Sequence, residues 1–317
     1  MKFPPLIACF LFVLMPARGA ETPGNLWAHD NLCAWCAVPF DAKERGPEER
    51  AEMLNRLGFT MFAYDWRAKN IPTFDAEIEA LQKHHIKLLA WWFPSNSNDP
   101  AARQILEACK RHNERPQLWV MWGGAFTHSP DEQKQRIEQM AGAFKALAEL
   151  AKPYGCPVEI YNHNAWGGNE DNELAVLARL KEMGVADIGM VYNFSHAHDG
   201  DHDDTIAFPA LWKRIQSHVV AVNITGMGPS KGIIYPSEGN EELEMMRVIQ
   251  ESGWRGAVGL IAEKGGDAEV TLSNYIKGID WLAAEIKQPG SGGPRPFGAV
   301  PAAGAAPVTS STGRSKM

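Results

Sequence analysis

The sequence predicts a single-domain α/β protein of the (β/α)₈ TIM-barrel class, with a signal peptide before the barrel and a disordered tail after it. Two observations predict this fold. Strand-like and helix-like segments alternate regularly along the chain of 317 residues, and the stretch 21–287 suits one barrel of about 250 residues better than two domains. A doubly wound open sheet is the alternative, but no strand is followed by GxGxxG or a P-loop, so a nucleotide-binding version has little support.

Eight segments have the apolar, β-branched or aromatic composition of buried strands, and each is followed by a helical pattern. Asp99-Pro100 and Ser129-Pro130 predict helix starts, because each places an N-cap residue before a proline. Gly58, Gly184 and Gly253 stand where helices should end, just before the next strand. The predicted strands are Asn31–Val38, Phe59–Asp65, Lys87–Phe93, Gln117–Trp122, Val158–His163, Ile188–Asn193, Val219–Ile224 and Ala257–Glu263.

The two ends of the chain differ from the barrel in composition. Residues 1–20 combine a basic start, an apolar run from Pro4 to Met15 and small residues before the expected cleavage site, which predicts a signal peptide and export to the periplasm or the extracellular space. An uncleaved or lipid-linked anchor is the alternative, although a span needs about 20 apolar residues. After cleavage no segment is expected to cross a membrane. Residues 288–317 are rich in Pro, Gly, Ala and Ser, which predicts disorder.

Composition favours a small-molecule partner. The formal net charge is −7 and the basic residues are scattered, so a nucleic-acid partner is not expected. The eleven tryptophans suggest flat apolar surfaces for sugar rings, with core packing as the alternative for each one.

Cys33 and Cys36 have a CxxC spacing but lie in a predicted strand, where residues three apart face opposite sides. Buried free thiols are therefore expected, and a disulfide stays open in an oxidising compartment.

Polar side chains stand on one face of each of the last four predicted strands. Ligands of a TIM barrel bind at the carboxyl ends of the strands, and inward side chains alternate with those that face the helices. Strand parity turns Glu159, Tyr161, Asn193, Asn223 and Glu263 to the interior. Because a buried carboxylate must be paired, protonated or metal-bound, Glu159 and Glu263 are predicted to be catalytic, with a salt-bridged position at the barrel rim as the alternative.

Histidines and aromatic residues near the strand ends complete the predicted site. His196 follows the sixth strand and is predicted to be catalytic. A zinc site built from the His196/His198 loop alone is an alternative that the spacing supports only weakly. Strand parity turns Trp92 inward but places Trp35 off that face. The residues predicted to bind substrate are Tyr161, Asn162, His163, His198, Trp92 and Trp166.

These short motifs resemble those of the sugar phosphate isomerase/epimerase family, the xylose isomerase-like TIM barrels. The resemblance covers residues 31 to 286 and lies in Glu159-Ile-Tyr-Asn-His163, Asn193-Phe-Ser-His196, Val222-Asn-Ile224 and Gly259-Leu-Ile-Ala-Glu263. Each motif is unspecific by itself, but their order and their placement on strands agree. The resemblance implies isomerisation or epimerisation of a sugar by proton transfer beside a carbonyl.

The resemblance also implies a divalent metal (Mg, Mn, Co or Zn) held by Glu159, Asn193, Asn223 and Glu263, and a substrate contact from His196. In this sequence Asn replaces an acidic ligand at 193 and a His ligand at 223. An amide oxygen suits a hard cation but serves a transition metal poorly. The fifth strand can also be aligned with the family in a second register. In that register Tyr161, rather than Glu159, takes the position of the first metal-binding Glu of the family.

Two other functions stay open. One is a lyase or hydratase that acts on an oxidised sugar through related carbanion chemistry, in which the histidines and a tyrosine do more of the work. The other is an inactive barrel that only binds carbohydrate. The sequence does not determine which sugar is bound or the oligomeric state.

Overall fold

The computed structural model describes residues 25–163, 165–196, 204–228 and 232–298. The predicted signal peptide, His198 and the part of the predicted tail beyond residue 298 lie outside these ranges. Within the described residues, no helix is both long enough and apolar enough to cross a membrane.

Eight parallel strands close into one barrel in the order of the sequence, from β1 next to β2 round to β8 next to β1. The predicted (β/α)₈ barrel is therefore confirmed, and every strand lies within its predicted segment. The strands are β1 (Leu32–Trp35), β2 (Met61–Tyr64), β3 (Lys87–Trp92), β4 (Gln117–Met121), β5 (Val158–Tyr161), β6 (Gly189–Asn193), β7 (Val219–Asn223) and β8 (Ala257–Ile261).

Two of the helices that cover the barrel begin where the sequence predicts. Asp99 accepts a hydrogen bond from the backbone of Ala101, and Ser129 accepts one from Glu132, so both predicted N-caps are confirmed. Gly184, at the end of a helix, has φ of 82°, the left-handed conformation that glycine adopts without strain. The helices are α1 (Pro47–Arg56), α2 (Phe74–Lys83), α3 (Pro100–Arg111), α4 (Pro130–Ala151), α5 (Glu170–Glu182), α6 (Asp204–Ile215), α7 (Glu242–Glu251) and α8 (Ala268–Lys287).

Aromatic rings fill the barrel interior below its carboxyl-terminal mouth. The ring centroid of Trp35 lies 4.7 Å from that of Trp119 and 6.1 Å from those of Trp92 and Tyr161. The prediction that Trp35 faces away from the interior is therefore wrong. Its ring is accommodated because Gly259 of β8 has no side chain, and a Cβ at that position would lie 2.5 Å from the ring.

The first part of the predicted tail contacts the barrel. The ring of Phe297 stacks on that of Tyr235 at 5.0 Å, and the Arg295 guanidinium donates hydrogen bonds to the carbonyl oxygens of Ser237 and Gly239. Residues 288–298 thus pack against the segment between β7 and α7, using the few aromatic and charged side chains of a stretch whose average composition predicts disorder.

Candidate functional site

Carboxylates that follow two different strands lie at the carboxyl-terminal mouth. Asp65 directly follows β2 and Glu263 lies just after β8, and these strands flank β1 in the barrel. Cys36, directly after β1, lies between them. The pKa of its thiol is raised, mainly by burial and further by the negative charges of Asp65 and Glu263. Both carboxyl groups therefore belong to one wall of the mouth.

Asp65 is the most deeply buried acid of this wall, with 1% of its surface exposed. Burial raises the pKa of its carboxyl group to about 7, although the Arg67 charge and the backbone N–H of Val38 act in the opposite direction. One oxygen accepts the Val38 hydrogen bond at 3.3 Å, and the neighbouring Cys36 thiol donates a hydrogen bond to the carboxyl group. A carboxyl group with a pKa near neutrality is suited to exchange protons.

Two histidines form the opposite wall. His163 follows β5 and His196 follows β6, and in the closed barrel these strands lie across from β1 and β2. The two imidazole rings are half-buried, with their centroids 4.2 Å apart, and the Tyr161 ring lies 6.2 Å from each of them. The structure thus brings together the predicted residues Tyr161, His163 and His196.

Hydrogen bonds join Tyr161, Asn193 and Asn223 into a row across three strands, here called the amide ladder. Asn193 donates from Nδ2 to the Tyr161 hydroxyl oxygen at 2.8 Å. Asn223 donates from its Nδ2 to Asn193 Oδ1 at 2.8 Å, and Asn193 Oδ1 also accepts from the backbone N–H and the hydroxyl of Ser195 at 3.1 and 2.8 Å. The two asparagines are fully buried and Tyr161 is almost so.

The amide ladder does not fit the expected metal site. An amide oxygen has two lone pairs, whereas Asn193 Oδ1 already accepts three hydrogen bonds. A cation at this oxygen would have to displace donors that hold the end of β6 in place. Tyr161, moreover, occupies the strand position that the second register assigns to a metal-binding Glu, and a neutral phenol is a poor ligand for the hard cations that bind amide oxygens.

Glu159, the other predicted catalytic and metal-binding residue, lies deeper in the barrel than the carboxylate wall. Its Oε2 accepts a hydrogen bond of 2.5 Å from the backbone N–H of Gly189, the first residue of β6. Burial raises the pKa of Glu159 to about 7, the Gly189 N–H lowers it, and the charge of Asp187, which precedes β6, raises it further. The contacts therefore place this carboxyl group toward the amino-terminal end of the barrel, and they do not pair it with Glu263.

We expect Glu159 to make stability fall as pH rises. Its folded-state pKa of about 7 lies above the ordinary value of 4.5, so the folded chain retains a proton that the unfolded chain releases. This stabilisation is complete below about pH 4.5 and is lost as pH rises to about 7, a change on the order of 3 kcal/mol. Relative to the wild type, Glu159→Gln should gain that amount between pH 4.5 and pH 8, measured as the free energy of unfolding in urea.

The exposed Glu251 provides the control for that measurement, because Glu251→Gln changes a carboxylate that stays in water. Equal pH dependence of the wild type and Glu159→Gln would contradict the expectation.

The other predicted substrate-binding residues have different positions. Trp92 is partly exposed and lies 5.2 Å from Tyr161, so it can offer a ring to the mouth. Asn162 is buried and donates to the Gly168 carbonyl at 2.5 Å, which anchors the segment after β5. Trp166 is buried and donates from its indole to Gln133 of α4 at 2.7 Å, so its contacts are with the helical layer.

A group of metal-ligating side chains lies outside the mouth. Among the described residues, ligand atoms of three His, Cys, Asp or Glu side chains come within 4.8 Å of one another at Glu48, Glu52 and His84. Glu48 is paired there with Lys83 at 2.5 Å and with His84 at 2.8 Å. The positive charge of Lys83 already balances this carboxylate on the outer surface of α1 and α2, and the group has no connection with the mouth.

Sequence reasoning missed two residues of the mouth. Asp65 is the last residue of the predicted second strand, and an acid at that end of a barrel strand is a signal that could have identified it. Cys36 gave no such signal. It adopts a left-handed φ of 52°, which is unusual for a residue with a side chain and costs about 1–3 kcal/mol.

Comparisons with known proteins yield structural similarity alone. No protein-family profile and no curated protein sequence matches the chain. Among solved structures, an IolI protein with a bound zinc atom matches with a TM-score of 0.61 at 14% identity, over 80% of this chain and 98% of that one. A 3-keto-D-glucoside 4-epimerase from E. coli gives 0.59 at 13%, over 80% and 98%, and an L-ribulose 3-epimerase gives 0.58 at 13%, over 81% and 95%.

Proposed function

The chain has the fold of the xylose isomerase-like TIM barrels, and from this fold and its mouth we propose that it is a sugar isomerase or epimerase that transfers a proton at the carbon beside a carbonyl. The observation that carries the proposal is the arrangement of acid–base groups on two opposite walls. Asp65 and Glu263 stand on one wall, and His163 and His196 stand on the other.

In this proposal Glu263 removes the proton from carbon. The electron pair of the broken C–H bond forms a C=C bond, and the carbonyl π electrons move to oxygen, which gives an enolate. A proton returned from the histidine wall to the same carbon reaches its opposite face and inverts its configuration. A proton returned from the carboxylate wall to the former carbonyl carbon, while the hydroxyl proton of the neighbouring carbon passes to the enolate oxygen, moves the carbonyl group and isomerises the sugar. Asp65, which retains its proton up to about pH 7, is the acid of that wall. Each such group contributes about 10²–10⁴-fold.

The divalent metal (Mg, Mn, Co or Zn) that the family resemblance implies has no part in the proposed steps, because the three hydrogen bonds at Asn193 Oδ1 leave no free lone pair there. Elemental analysis of the purified wild type and of Glu263→Ala tests this point. Near-stoichiometric metal in the wild type that disappears in the variant would contradict it.

The experiment that tests the function is incubation with L-ribulose and with a 3-keto-D-glucoside in D₂O, followed by proton NMR and mass spectrometry. These are the sugars named for two structures of the same fold. We expect deuterium at the carbon beside the carbonyl and, in H₂O, a product of unchanged mass. Loss of water or elimination would instead favour the lyase or hydratase, and binding without exchange or product would favour the carbohydrate-binding barrel.

We further propose that the protein acts after export, as residues 1–20 suggest. Expression of the full chain in a bacterial host and N-terminal sequencing of the protein recovered from the periplasm or the medium tests this. A new N-terminus after Gly19 or Ala20 is the expected result, and an intact N-terminus at Met1 would contradict cleavage.

A further inference from the structure

The direction of every hydrogen bond in the amide ladder is fixed by one backbone group. The Ser195 N–H can only donate, so the Asn193 side-chain atom 3.1 Å away from it must be the oxygen. The Asn193 nitrogen therefore faces the Tyr161 hydroxyl, to which it donates. Asn223 must likewise use its nitrogen toward Asn193 Oδ1, so its own Oδ1 is turned the other way.

Each end of the amide ladder has one unused hydrogen-bonding group, which is a donor at Tyr161 and an acceptor at Asn223. The Tyr161 oxygen accepts the Asn193 hydrogen bond, so the Tyr161 proton is available for a further acceptor. At the other end, Asn223 Oδ1 is buried and has no hydrogen-bond partner among the described residues. Buried polar groups are normally satisfied by protein, water or a ligand. The ladder thus presents one O–H donor and one carbonyl acceptor.

The donor end lies at the mouth. Tyr161 is the last residue of β5, and its ring lies 6.2 Å from the rings of His163 and His196, which follow β5 and β6. Burial raises the pKa of Tyr161, and the negative charges of Glu263 and Asp65 raise it further. The proton therefore stays on Tyr161 at neutral pH. The partly exposed Trp92 ring lies 5.2 Å from the Tyr161 ring and forms an apolar side of the same space.

We propose that the amide ladder binds the hydroxy-carbonyl unit of the substrate, with Tyr161 donating to the carbonyl oxygen and Asn223 Oδ1 accepting from the neighbouring hydroxyl. This rests on the proposed function and names the chemical unit that the site recognises. When Glu263 takes the carbon-bound proton, negative charge develops on the oxygen that Tyr161 contacts. A fixed donor at that oxygen stabilises the enolate, so neutral groups of the chain supply the electrophilic contact.

The test is ligand-observed NMR of hydroxyacetone, the smallest molecule with this unit, on the full-length protein in the presence of EDTA, with acetone as the comparison that lacks the hydroxyl group. Tyr161→Phe removes the donor and retains the ring. Asn193→Asp reverses the ladder, because a carboxylate accepts from Ser195, Asn223 and Tyr161 alike and thereby withdraws the tyrosine proton from the mouth. Ser195→Ala is the matched control, since its backbone N–H still orients Asn193.

We expect the wild type and Ser195→Ala to bind hydroxyacetone equally and more tightly than acetone, and both ladder variants to bind it about tenfold more weakly. Melting temperatures identify any variant that fails to fold. If Tyr161→Phe fails to fold, Asn193→Asp still tests the proposal, because every neighbour of its carboxylate is a hydrogen-bond donor. Unchanged affinity in Asn193→Asp, equal affinity for acetone, or no binding of hydroxyacetone would overturn the proposal. Deuterium exchange with larger keto-sugars tests the proposed function separately, because it reports proton transfer whichever groups hold the carbonyl.

Discussion

Replacing Glu263 by Gln is expected to lower the rate of proton exchange beside the substrate carbonyl by about 10²–10⁴-fold while leaving the fold intact. Glutamine retains the size of the side chain and removes the basic oxygen that the proposed reaction requires. Because Glu263 is only partly buried, the loss of its charge should have little effect on stability. The measurement is the rate of deuterium incorporation under saturating keto-sugar, together with the melting temperature.

Glu159→Gln is the matched control for this experiment. It makes the same chemical change on β5, where the carboxyl group contacts the Gly189 backbone and not the mouth. We expect this variant to retain its exchange rate. If Glu263→Gln stayed active, or if Glu159→Gln lost activity to the same degree, the assignment of the base would fail.

Asp65→Asn should lower turnover by a similar factor of about 10²–10⁴, and it should also change the shape of the pH profile. The buried Asp65 retains its proton until pH reaches about 7, so the acid form is present below that pH and disappears above it. Wild-type kcat should therefore fall as pH rises through about 7. The variant has no such proton, so the residual activity should lack this descending limb.

A pH series of kcat for the wild type and Asp65→Asn distinguishes this role from a structural one. A variant that is merely less stable would show lower activity with an unchanged profile. A wild-type profile that rises through about pH 7 would instead mean that Asp65 acts in its ionised form, which would contradict its assignment as the acid.

The barrel could be predicted because its signals are local. The strands are short, largely apolar runs, several helices have a polar N-cap such as Ser129, and several returns to the barrel pass a glycine such as Gly184. These features depend on a few neighbouring residues and need no knowledge of distant contacts. The inward orientation of Tyr161, Asn193 and Asn223 also followed from the two-residue period of a strand.

The alternation of side chains along a strand did not predict how deep a residue lies in the barrel or which residues it contacts. Glu159 and Tyr161 face the same side, yet they are one strand repeat apart, about 7 Å along the axis, and only Tyr161 reaches the amide ladder. Trp35 was misplaced because its face is set by pairing with β8, where it lies beside Ile261, and the space for its ring is created by Gly259 on that strand.

The sequence by itself therefore determined the (β/α)₈ architecture, the strand segments and the set of polar residues near the strand ends, because propensity and periodicity are properties of neighbouring residues. Only the tertiary structure decided which of these residues share a site. It set Asp65 and Glu263 around Cys36, paired His163 with His196, and joined Asn223 to Asn193 and Asn193 to Tyr161 by hydrogen bonds. The closure of the barrel decides these contacts, because it brings residues far apart in the chain within hydrogen-bonding distance and buries them where unpaired polar groups are costly.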